Sequence, residues 1–344
     1  MTNKIKEYKH LIRNIACYIL LSFTVFYSCT SDSKKESKQK ETTKQEVLKV
    51  PAFDANNAYQ LVEKQVAFGP RIPNTDPHKQ TAAFLIEKLE TYGAKVQTQE
   101  FVAKTYDDED WQLTNIIGSI MPEKKKRILL AAHWDTRKIA DKDDTRQNEP
   151  IDGANDGASG VAVILEILRA IQASPNKPNV GIDVIFFDGE DNGEPNNKAR
   201  VPGAESWWCL GSQYWSKNKH EESYSAYYGI LYDMVGGVDA SFHMEGFSMK
   251  FAPSIVQKVW QTADELGYSD YFVSNEVAPI TDDHYFVNKY GKIPMIDILA
   301  HDPLSGQFFP DYHHTHQDNM DIISQSTLKA VGQTSLRVLY KEKP

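Results

Sequence analysis

The chain has 344 residues, 41% hydrophobic and 25% charged, with 19 Gly, 16 Pro, 3 Cys and a formal charge of −9 at pH 7. That composition excludes collagen-like, disordered and disulfide-scaffold classes, and a chain this long buries a core without covalent staples. The acidity argues against nucleic-acid binding, which works by neutralising phosphates with Lys and Arg.

The first 28 residues run against the rest, with Lys4, Lys6, Lys9 and Arg13 opposed only by Glu7, and they hold an apolar run from Leu11 to Tyr27. A basic start, an apolar middle and a small residue before a break describe an export signal rather than part of the fold. The run is short of the roughly 20 apolar residues that a membrane span needs. Ser28-Cys29 resembles the lipobox of bacterial lipoproteins, which implies that Cys29 becomes an acylated first residue. Residues 1–28 are therefore expected to be a lipoprotein signal peptide, and membrane contact to run only through a lipid on Cys29. That places the protein in the cell envelope, on the periplasmic side or the outer membrane. Thr30 to Glu46 is almost wholly Ser, Lys, Glu, Gln and Thr, so 29–50 reads as a flexible tether and 51–344 as one catalytic domain. With Cys17 in the signal and Cys29 at its end, Cys209 stands alone in the body and no intrachain disulfide forms there. It reads as a small buried hydrophobe.

Thr81 to Tyr92 has the spacing of an amphipathic helix, and Arg127 to Ala132 is a short apolar run, a buried-strand candidate. Ala158 to Gln172 carries Val161, Leu165, Leu168 and Ile171 at helical spacing. Asp183 to Phe187, Gly229 to Tyr232 and Pro294 to Leu299 complete the strands. Strands alternating with helices imply an α/β fold around a largely parallel sheet covered on both faces. In such sheets ligands sit beyond the carboxyl ends of the strands.

Each apolar run ends in polar residues of a chemically selective kind. His133-Trp-Asp135 closes the first, Asp188-Gly-Glu190-Asp191 the next, and Asp233 the one after. Asp152-Gly-Ala-Asn-Asp156-Gly opens the central helix, and a late loop holds Phe308-Phe309-Pro310 and His313-His314-Thr315-His316. Singly, each has an ordinary explanation: Asp156 caps a helix, the acids solvate a turn, and the histidines lie on the surface. Together they make a site. Carboxylates with imidazoles suit zinc, which in catalytic sites keeps three protein ligands and an open position.

In that order, with Gly153-Ala-Asn-Asp156-Gly-Ala-Ser-Gly160 and Phe186-Phe-Asp-Gly-Glu190-Asp191 as the longest pieces, the residues resemble the zinc aminopeptidase superfamily. Within it they resemble the bacterial glutaminyl cyclases, over essentially residues 60 to 344. The resemblance implies a single-domain α/β fold with a mixed, mostly parallel sheet sandwiched by helices. For a cyclase it implies one zinc on Asp156, Asp191 and His314. For a di-zinc aminopeptidase, the alternative, it implies two, with His133 and Asp233 holding the second and Asp156 bridging. Three features favour the cyclase: Gly211-Ser212 follows an insert bearing Trp207 and Trp208; Asp282-Asp283-His284 precedes a Phe; and Trp207 to Trp215 matches the bacterial cyclases. Two positions depart from the animal cyclases: His313 stands where they have a tryptophan, and Asp297 where they have a histidine.

The implied substrate is a peptide or protein with N-terminal Gln, cyclised to pyroglutamate with loss of ammonia. By resemblance Glu190 moves the proton, Asp282 holds the amide or departing nitrogen, and Asp233 bonds around the amine. Trp207 or Trp208, with Phe309, would wall the pocket.

Overall fold

Each central strand grows from an apolar run, and the chain brackets them with helices whose starts are chemically marked. α1 (Ala55–Val66) is capped by the Asp54 carboxylate, and α2 (Asp76–Thr91) by Thr75 with a proline in its first turn. That cap and proline start α2 well ahead of the periodicity at Thr81. The structure, a computed structural model, describes residues 48–195, 201–305 and 308–344. The expected signal peptide, Cys29 and all but the end of the expected tether lie outside the described residues. All the elements belong to one unit, Val47–Pro344.

β1 (Lys95–Lys104) and β2 (Asp110–Ile120) form an antiparallel hairpin. It is absent from the sequence expectations; β1 is a sheet edge with mostly exposed residues, so no apolar face announces that strand, whereas β2 is largely buried. β3 (Arg127–His133) leads through α3 (Ala158–Ala173) to β4 (Gly181–Phe187), then through α4 (Leu210–Lys217) to β5 (Tyr228–Asp233). A small parallel pair comes next, β6 (Phe242–Met244) with β7 (Phe272–Glu276), enclosing α5 (Gly246–Phe251) and α6 (Pro253–Glu265). The short α7 (Asp283–Phe286), β8 (Met295–Leu299) and α8 (Gln325–Lys341) complete the chain. Among the described residues no helix is long and apolar enough to cross a membrane.

The main sheet runs β1-β2-β4-β3-β5-β8, with β4, β3, β5 and β8 mutually parallel and the hairpin antiparallel at one edge. It is the mixed, mostly parallel sheet between helices that the resemblance implies. Strand alternation divides the core. Ile128, Leu130 and Ala132 face the larger cluster with α1, α2, α3, α6 and α8, while Leu129 and Ala131 face Trp215, Phe187 and Val287. α3 is apolar nearly all round and buried nearly all round, as a central helix must be. β4 and β5 flank β3 on opposite sides, so the chain steps from β3 to β4 and then reverses across the sheet to β5, which opens a crevice beyond the carboxyl ends of β3 and β5.

Candidate metal-binding active site

The crevice is filled by the residues that end each strand. His133 closes β3, Asp233 closes β5, and Glu190-Asp191 lie in the turn after β4. Asp156 sits at the entry to α3, Asp282 caps α7, and His313-His314 come from the segment between β8 and α8. Two glycines let these pieces close. A Cβ on Gly157 would lie 2.6 Å from His133 Cε1 and from the His133 carbonyl, and one on Gly211 would lie 2.5 Å from the Asp188 carbonyl. Cys209, Met234 and His314 flank the crevice with φ of 59°, 49° and 59°, in the left-handed region that side chains rarely adopt.

Three further acids brace the loops. Asp135 accepts from Glu190 N (3.0 Å), Asp191 N (3.2 Å) and Asn192 Nδ2 (3.2 Å). Asp318 accepts from Asn155 N (2.7 Å) and Asp156 N (3.1 Å). Asp188 accepts from Thr114 N (2.6 Å) and pairs with His78 Nε2 at 2.9 Å. Each thereby turns a backbone segment toward the crevice.

Asp156 stands between two groups of donors. Its Oδ1 is 3.0 Å from His133 Nε2, which is also 3.2 Å from Asp233 Oδ1. Its Oδ2 is 3.7 Å from His314 Nε2, which lies 2.9 Å from Asp191 Oδ1. The structure thus brings Asp156, Asp191 and His314 together through His314, and His133 with Asp233 on the far side of the same carboxylate. His133 is buried beneath the cleft rather than lining it. Glu190, Cys209 and Asp282 form a third group, with donor atoms within 4.8 Å of one another, and the Cys209 thiol donates to Glu190 Oε1 at 3.1 Å.

The cleft above has a volume of about 400 Å³ and exposes Asp156, Glu190, Asp191, Asp233, Asp282 and His314. Trp208 and Phe309 form its walls. Trp207 does not line it: the ring covers Gly203 and the indole N–H donates to the Val201 carbonyl at 2.9 Å. Trp208 lies nearly parallel to His314, with ring centroids 5.8 Å apart, and the Arg137 guanidinium covers Trp208 at 4.6 Å.

Several contributors escape sequence reasoning. Arg137 donates its backbone N–H to Asp191 Oδ2 (2.8 Å), and its guanidinium holds Asp141, which faces His314 Nδ1 at 3.3 Å. Lys142 enters the cleft and donates to His313 Nδ1 at 2.5 Å. All lie in an aperiodic stretch after β3 that carries no motif.

Burial, then the charges of Asp282, Asp191 and Asp283, push the Glu190 carboxyl well above its ordinary range against the pull of His133. Burial also lifts Asp233 to about 7. His133 rises too: burial opposes its charge, but Asp135, Asp156 and Asp233 outweigh it. These acids crowd a buried space with too little positive charge to balance them. Oxygen and imidazole donors facing one another in that state fit a divalent cation such as zinc.

A protein-family model, Peptidase family M28, matches residues 115–339. A crystal structure of the Bacteroides thetaiotaomicron glutaminyl cyclase bound to N-acetylhistamine is similar at 49% identity, TM-score 0.82, covering 86% of this chain and 100% of that one. A Zn-dependent exopeptidase from Parabacteroides distasonis is similar at 47% identity with the same TM-score and coverage. The glutaminyl-peptide cyclotransferase of Dictyostelium discoideum is 21% identical over 76% of this chain and 78% of its own.

Proposed function

The chain belongs to peptidase family M28, among its bacterial glutaminyl cyclases, and on that footing we propose that it converts an N-terminal glutamine of peptides into pyroglutamate, releasing ammonia. The substrate carries both reactants. Its α-nitrogen forms a bond to its own side-chain amide carbon, and the bond from that carbon to the amide nitrogen breaks. No protein nucleophile is needed, in keeping with Cys209 being buried and with its thiol pushed well up by burial and the Glu190 charge. Holding the chain folded back converts the attack into a favourably oriented intramolecular step.

Glu190 takes the proton from the α-ammonium and returns it to the departing nitrogen. Asp282 holds that nitrogen, Asp233 bonds around the amine, and Trp208 and Phe309 exclude water. One zinc would be held by Asp156, Asp191 and His314. Bound there, it supplies Lewis-acid polarisation of the amide carbonyl and charge for the developing oxyanion. The observation that carries this reading is the pairing of Glu190 with Asp282, their oxygens within 4.8 Å in the cleft.

One observation favours a second reading. His133, Asp156 and Asp233 offer a second donor group, which a two-metal aminopeptidase would use. The deciding experiment gives the purified protein a Gln-initiated and a Leu-initiated peptide and counts metal per chain. Ammonia without free leucine supports the cyclase; free leucine with two metals supports the peptidase.

The N-terminal expectation belongs to the same proposal: residues 1–28 direct export and a lipid on Cys29 holds the enzyme in the cell envelope. Fatty-acid label should enter the wild type and be lost in Cys29→Ser.

A further inference from the structure

The lining of the cleft divides by depth. Asp156, Glu190, Asp191, Asp233 and Asp282 are buried at its floor, where the proposed reaction places the glutamine. Lys142 and Glu194 are half-buried and Glu205 is exposed, so these three charges form its rim. A peptide whose first residue fills the floor must lead its second residue past that rim.

Lys142 is held in one place by three contacts. Its backbone N–H donates to the His314 carbonyl (3.3 Å), and its ammonium donates to His313 Nδ1 (2.5 Å) and lies 5.3 Å from the centre of the Phe309 ring. Among the described residues it forms no ion pair, because the acids beside it in the chain are taken. The Arg137 guanidinium holds Asp141, which also faces His314, and His316 holds Asp143. An ammonium has three N–H donors, and His313 accepts only one of them. Burial pulls this ammonium down from its ordinary 10.5 against the charges of Asp141 and Asp156. A carboxylate arriving in the cleft would offset that lost hydration with a charge-assisted bond.

The rest of the rim differs. Lys289 and Tyr290 hold Glu205. Glu194 follows Gly193, whose Cα packs so closely on the Trp208 indole that a Cβ would lie 2.2 Å from it. The Trp208 wall therefore carries a negative rim, and the Phe309 wall a positive one.

We propose that Lys142 is a specificity-determining residue: it binds the side-chain carboxylate of an Asp or Glu that directly follows the N-terminal glutamine. The preferred substrates are then peptides that begin Gln-Asp or Gln-Glu. This deepens the cyclase reading given above and depends on it for the placing of the first residue.

The test uses three peptides that differ only at the second residue, Gln-Glu, Gln-Ala and Gln-Lys. The wild type should turn over the Gln-Glu peptide with a kcat/KM about threefold to tenfold above Gln-Ala, the scale of one partly buried ion pair. The difference should lie in KM and shrink at high salt. Lys142→Met keeps the apolar stem without the charge and should bring the ratio to about one. Lys142→Glu should turn the preference toward Gln-Lys. Melting temperature and metal per chain would be read on both variants. The proposal is overturned if the wild type does not favour Gln-Glu, if the ratio survives in Lys142→Met, or if either variant loses metal. A wild-type preference for Gln-Lys also overturns it, and would set the second residue against Glu194. Should the wild type form no pyroglutamate from any peptide, the cyclase reading fails. Calorimetric titration with the same peptides still decides Lys142: tighter binding of Gln-Glu, lost in Lys142→Met, supports it, and equal binding overturns it.

Discussion

Asp188 and Asp191 stand three residues apart after the same strand and live in opposite chemistries. Asp188 is sealed: Thr114 N and the His78 ring satisfy it, and the His78 ring in turn stacks on Trp134 at 4.2 Å. Asp191 has one oxygen on Arg137 N and the other on His314, at the wall of the cleft. Asp135 and Asp318 belong with Asp188, each occupied by backbone N–H groups. Glu190 belongs with Asp191, its carboxylate accepting from the Cys209 thiol, a weak donor. An acid whose oxygens are taken up by donors from the surrounding loops braces them. An acid left short of donors at the cleft is available to a metal or a substrate.

The sharpest way to test that division is Glu190→Gln, which changes one atom at the unsaturated end. It should keep fold and metal while turnover in an ammonia-release assay falls by at least about a hundredfold, the scale of removing a general acid–base group. Turnover close to wild type would remove Glu190 from its role. His314→Ala should abolish bound metal, read as zinc per chain, and activity with it; full metal content in an active variant would move the ligand set elsewhere.

Bracing acids should answer in stability. Asp318→Ala strands Asn155 N and Asp156 N, and urea unfolding should show a loss of about 1–3 kcal/mol for each group left unpaired. An unchanged midpoint would show that water replaces the carboxylate. The smallest effect is a pH slope. Burial, opposed by His78, lifts Asp188 from 3.8 to about 6. Between those values the folded state keeps a proton that the unfolded state has lost, so this group's contribution to stability falls as pH rises through that window. Asp188→Asn should flatten that part of the curve, and a slope unchanged in the variant would assign it to other groups.

The buried parallel strands were legible because a strand covered on both faces is a continuous apolar run, and β3, β4, β5 and β8 are such runs. His133, Glu190, Asp191 and Asp233 were legible for the same reason, since a polar residue ending an apolar run stands out. The edge strand β1 was not, because its mostly exposed residues offer no such contrast. Nor was the difference between Trp207 and Trp208, adjacent in the chain and distinguished only by which ring Arg137 and His314 stack against.

The chain alone determined the alternation that makes a covered parallel sheet, the donor types at its strand ends and the acidity that such donors impose. Local periodicity and residue chemistry carry that information, and both are complete within a few residues. Which acids brace a loop and which face the cleft, and that Arg137 and Lys142 join the site, were decided only by the tertiary structure. The reason is physical: a carboxylate's behaviour depends on how many donors reach it and how little water does. Those donors come from segments as distant as Asn155 and Asp318, which only the closed fold brings within 2.7 Å.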